Sequence, residues 1–108
     1  MMMNQAIHEK AIAAAKAACN EYLEQNPDNW FPCGFAWVVA DVKGNTKAGK
    51  AFKACGFDKY YYGGLDLWDP AKAGTQVMYA KFAGAQAYAE VVNEALGERV
   101  VRADCRMD

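Results

Sequence analysis

The sequence predicts a single α+β domain, and three observations predict it. Apolar residues recur at helical spacing near each end, at Ile12, Ala15, Cys19, Tyr22 and Leu23 and again at Met78, Phe82, Ala85, Ala89, Val92 and Leu96. Shorter apolar or alternating stretches lie between and after them, around Phe35 to Val42, Tyr60 to Trp68 and Arg99 to Met107. Gly, Pro, Asn and Asp clusters separate the two kinds of segment.

Taken in order, an alanine-rich helix spans Asn4 to Gln25, and Asn26-Pro27-Asp28 stops it because proline disfavours the helical conformation in its predecessor. The strand Phe35 to Val42 is apolar on both faces, with Phe35, Trp37 and Val39 on one and Ala36, Val38 and Ala40 on the other. Such a strand belongs in the middle of a sheet. Lys43-Gly44-Asn45-Thr46 makes a turn, Asn45 or Thr46 caps a short helix running to Cys55, and Gly56 ends it.

The strand Tyr60 to Trp68 places Tyr61, Leu65 and Leu67 on one side and Tyr60, Tyr62, Asp66 and Trp68 on the other; Asp69-Pro70 breaks it. Thr75 caps a helix from Gln76 to Leu96, and Gly97 closes it. The last strand, Arg99 to Met107, buries Val101, Ala103, Cys105 and Met107 and shows Arg102, Asp104 and Arg106.

The order is α-β-α-β-α-β, which predicts a three-stranded sheet with the first strand central, packed by three helices. Each inter-strand segment is long enough for a right-handed crossover, giving parallel strands in the order 2-1-3 with the second and third helices on opposite faces. The alternation of the last two strands points the other way, to a sheet with one open face.

With 108 residues there is room for one domain, 1–108, and a core able to stand alone. The 54% apolar and 23% charged composition is that of a globular protein, and a net charge of −1 excludes binding of nucleic acid or acidic membranes by bulk charge. Four cysteines are spread without a CxxC pair, which favours free thiols over a disulfide framework or zinc. No metal or cofactor is expected. Glu9, Lys10 and Lys16 interrupt the N-terminal alanine run, so it does not read as a secretion signal, and no apolar run suits a membrane span. A soluble, cytoplasmic protein is expected.

Two local patterns suggest a site. Around Lys43, Asn45 and Lys47 a glycine turn meets a lysine-rich helix start, where unpaired N–H groups and positive charge suit an anion; the alternative is a solvated basic face. Tyr60, Tyr62 and Trp68 beside Gly63-Gly64, with Asp66 as an acceptor, could form a platform for a planar ring, a protein-docking surface, or simply core. Arg102 and Arg106 share a face and could pair with Asp66 or hold a carboxylate or phosphate. Enzymatic alternatives are a Cys33 thiol with His8 near the N-terminus, or the carboxylate pairs Glu90/Glu94 and Asp66/Asp69.

The strings Phe31-Pro32-Cys33-Gly34-Phe35-Ala36-Trp37-Val38, Tyr61-Tyr62-Gly63-Gly64 and Arg106-Met107-Asp108 together resemble a group of small uncharacterised proteins of tailed bacteriophages and related environmental sequences. The resemblance covers roughly residues 30 to 108 and implies a viral protein acting in the host cytoplasm; it implies no activity. The expectation is a non-enzymatic binder of a small anionic, ring-bearing ligand such as a nucleotide. The alternatives are a protein-interaction module, with a host or viral partner or a second copy as a homodimer, and an enzyme.

Overall fold

Asn4 opens the first helix by accepting the Ile7 N–H at its side-chain oxygen, 2.9 Å away. The computed structural model describes residues 1–108 and has seven elements: α1 (Gln5–Gln25), β1 (Gly34–Ala40), α2 (Lys47–Ala54), β2 (Asp58–Lys59), β3 (Leu65–Trp68), α3 (Met78–Leu96) and β4 (Val101–Met107). The class is α+β with three helices. The sheet has four strands rather than three, in the order β2-β3-β1-β4, and every pairing is antiparallel.

Two expectations are corrected together. The predicted strand Tyr60 to Trp68 is a hairpin: Tyr60 N–H donates to Gly64 O at 3.0 Å, and Gly63 N–H to Tyr60 O at 3.1 Å. The glycines hold φ of +104° and +83°, a conformation that side chains resist. Neighbouring strands are not parallel because the chain enters both β3 and β4 running opposite to β1, while β3 and β4 themselves run the same way, joined through α3. An 8-residue helix, α2, is too short to span a sheet and bring the chain back to its starting edge.

The helices do not flank the sheet. Phe52 and Cys55 of α2, Tyr88 and Val92 of α3, and Ala11, Ala15 and Cys19 of α1 join Ala36, Val38 and Ala40 of β1 in one core. That core lies on one side of the sheet, with α3 against β1 and β4 and α1 packed on α3. Small residues let the two helices approach: a Cβ added at Gly84 would stand 2.9 Å from Ala71 Cβ and 3.0 Å from Ala15 O.

Because α3 is covered by the sheet on one side and α1 on the other, its buried set includes Ala80, Gly84 and Tyr88 beyond the single stripe expected; Phe82 and Leu96 are only partly buried. Thr75 does hydrogen-bond the Val77 N–H, but α3 begins later than expected, at Met78. Met107, expected to be buried, is 65% exposed at the sheet edge. No helix is long and apolar enough to cross a membrane.

Candidate functional site

The sheet face without helices carries the chemistry. Strand register sets Trp37 of β1 opposite Trp68 of β3 and Asp104 of β4, Val39 opposite Asp66 and Arg102, and Phe35 opposite Arg106. Trp37 and Trp68 stack at 4.8 Å between centroids and 20° between planes, and Phe35 meets the edge of Trp68 at 6.0 Å. The stack leaves Trp37 only 6% exposed while Trp68 stays 47% exposed.

At the hairpin, Tyr60 and Tyr61 each set their ring edge-on to Tyr62, at 5.6 and 4.9 Å. Tyr61 is 88% and Tyr62 81% exposed, so these rings are surface and not core.

Between the tryptophans and the tyrosines lies a hollow of about 640 Å³. Trp37, Trp68, Tyr60, Tyr62, Asp66 and Arg106 are among its walls, so Tyr60, Tyr62, Asp66 and Trp68 do share one hollow. Tyr61, expected on the opposite side with Leu65 and Leu67, lines it too, because the hairpin turn and not strand alternation places the tyrosines. Trp68 Nε1 donates to Asp66 Oδ2 at 3.3 Å, whereas Trp37 Nε1 is buried with no partner. A buried indole N–H without an acceptor is costly.

Burial pushes the Asp66 carboxyl above its usual range, the Trp68 hydrogen bond works against this, and Asp58 adds to the rise. Arg102 does not reach Asp66; it lies 3.7 Å from Asp41 and 3.8 Å from Asp104. Arg106 forms no ion pair and sits 5.9 Å over the Phe35 ring.

A second hollow of about 330 Å³ adjoins the first, sharing Lys59 and Tyr60. Lys43, Lys53 and Asn45 line it with Gly63 and Gly64, and no carboxylate does. Its three lysines, Lys43, Lys53 and Lys59, make no ion pairs. Thr46 caps α2, its Oγ1 accepting from Gly49 N at 3.1 Å and donating to Lys43 O at 2.6 Å. Gly49 has no Cβ, which lets α2 press against the Lys43 carbonyl and fixes the loop. Lys47 lies in neither hollow, exposed on the first turn of α2.

Sequence reasoning left Lys53, Lys59 and Trp37 outside the site. The lysines were visible only as a charge run; their convergence depends on how α2 meets the hairpin. Alternation does place Trp37 with Phe35 and Val39, but a strand apolar on both sides gives no sign of which face stays open.

His8 and Cys33 each find a partner other than one another. His8 is half-buried in α1, and its Nδ1 lies 2.7 Å from the Tyr88 hydroxyl, while Cys33 Sγ hydrogen-bonds Trp30 O at 3.6 Å. Glu90 and Glu94 line a polar hollow with Arg99 and no apolar wall. All four cysteines are free, and burial raises the Cys19, Cys55 and Cys105 thiols above their usual range. No three His, Cys, Asp or Glu side chains group as metal ligands. No family model, curated protein or solved structure matches the chain.

Proposed function

We propose that the protein binds a small, planar, ring-bearing anion without transforming it, with a nucleotide or nucleotide-derived signal as the natural case. The observation that carries this reading is the pair of adjoining hollows sharing Tyr60 and Lys59, one walled by aromatic rings and the other by three unpaired lysines with no carboxylate. The ring lies against Trp68 and the tyrosines, where stacking of a base contributes about 1–3 kcal/mol. Asp66 supplies an acceptor to its edge. The anionic end faces Lys43, Lys53 and Lys59, with Asn45 beside them, and the glycines admit it close to the backbone. In the phage setting implied by the sequence resemblance, such a binder would act in the host cytoplasm by sequestering the molecule.

The test is calorimetry and tryptophan fluorescence with a panel of nucleotides, alongside adenosine and inorganic phosphate as the separated halves. Trp68→Ala and Lys59→Ala should each weaken binding about tenfold or more, with far-UV circular dichroism unchanged. Absence of binding across the panel, or wild-type affinity in either variant, would remove the proposal.

The exposure of Tyr61 and Tyr62 favours a second reading, a docking surface for another protein. Native mass spectrometry of the protein as purified separates the two. A retained small-molecule mass supports the first, and a complex lost on Tyr62→Ala supports the second.

A further inference from the structure

We propose that β4 pairs with β4 of a second copy, in one register, to form a two-fold dimer with a continuous eight-stranded sheet. β4 is the last strand in the order β2-β3-β1-β4, so one of its edges is open. Asp41 N–H donates to Val100 O and Asp108 N–H to Cys33 O. Even-numbered residues of β4 therefore turn their backbone groups toward β1, and odd-numbered residues turn theirs outward.

The outward groups of Val101 are already taken, since Asn93 Nδ2 donates to Val101 O at 2.8 Å and its Oδ1 accepts the Val101 N–H at 2.9 Å. Ala103, Cys105 and Met107 remain. Only the Cys105 N–H has a partner, a local one, Asp104 Oδ1 at 2.8 Å. An open edge of this kind is a template for strand addition.

Charge selects the partner. On the open face β4 and the residue after it read Arg102, Asp104, Arg106, Asp108, with alternating sign. Antiparallel pairing of two copies about Cys105 sets Arg102 opposite Asp108 and Asp104 opposite Arg106, so every charged pair across the seam is of opposite sign. The helix-side residues then meet as Ala103 with Met107 and Cys105 with Cys105, which covers the exposed Met107.

The neighbouring registers fail. Centring on Asp104 opposes Asp to Asp and Arg to Arg, and centring on Ala103 needs the Val101 groups that Asn93 holds. In the chosen register Ala103, Cys105 and Met107 exchange both backbone bonds with their opposites. The two-fold axis runs through the sheet, so both copies keep their aromatic hollows on one side.

Sedimentation equilibrium tests this, with a concentration series reaching about 0.5 mM because short edge interfaces fall among the weak ones. The expected result is a dimer that Asp104→Arg converts to monomer, by setting like charges opposite Arg106, and that the double variant Asp104→Arg, Arg106→Asp restores. Ala103→Pro removes an outward N–H and should abolish the dimer with unchanged circular dichroism. In a Cys33→Ser background, copper-phenanthroline should link Cys105 to Cys105, since directly opposed hydrogen-bonded residues stand about 5.5 Å apart at Cα, within disulfide reach. A monomer across the series overturns the proposal. So does a dimer indifferent to Asp104→Arg and Ala103→Pro, and so does one lost only on Trp68→Ala, which would place the contact on the aromatic face.

Discussion

At the scale of single residues, two buried polar atoms carry opposite lessons. The Tyr88 hydroxyl, in a fully buried side chain, finds His8 Nδ1 at 2.7 Å, and burial, with a smaller contribution from Cys55, pushes its titration far above the usual range. The same burial, with Lys72, lowers His8 below its usual 6.5, outweighing Glu9. The unfolded chain therefore takes up the proton more readily than the folded one. The stability tied to neutral His8 is present above about pH 6.5 and is lost as pH falls through the native His8 value. Urea denaturation between about pH 7.5 and 5.5 should show that decline, and His8→Gln should flatten it. Trp37 Nε1, by contrast, has no partner. Trp37→Phe removes that donor together with part of a buried ring stacked on Trp68, so stability should fall by no more than about 1–2 kcal/mol, read by urea denaturation. His8 was legible as the only histidine but not as a partner of Tyr88. A hydrogen bond across eighty residues of sequence leaves no local pattern.

Among the elements, α3 shows how far periodicity reaches. Its stripe from Met78 to Val92 is readable because one face must be apolar to meet the sheet. Its second face, Ala80, Gly84 and Tyr88, is buried by α1, and small residues there look like ordinary helix-formers in sequence. Gly84→Val should cost about 1–3 kcal/mol by forcing α1 away, measured as a lower urea midpoint with an unchanged slope. The hairpin is the opposite case. Gly63-Gly64 is a strong turn signal, and reading it as a gap in one long strand hid β2. The alternation of β4, with Arg102, Asp104 and Arg106 outward, did indicate an open sheet face, and it was the parallel crossover rule that misled.

For the molecule as a whole, the net charge of −1 conceals a local asymmetry, since Lys43, Lys53 and Lys59 converge without a carboxylate. Binding of a charged nucleotide should therefore weaken as salt rises from about 0.05 to 0.5 M, because exposed charges are screened, while quenching by the uncharged nucleoside stays nearly constant. Equal salt dependence for both would detach the lysine hollow from the ligand. The amino-acid sequence by itself determined the α+β class, the three helices with all their ends but the start of α3, and the central place of β1. These follow from periods of two and 3.6 and from local capping, which act over a few residues. Only the tertiary structure decided strand direction, the hairpin register, the helix-free face, and the meeting of Lys43 and Lys53 with Lys59 beside Tyr60. Those depend on which distant surfaces bury one another, and burial is set by the summed area of the whole packed chain rather than by any one segment.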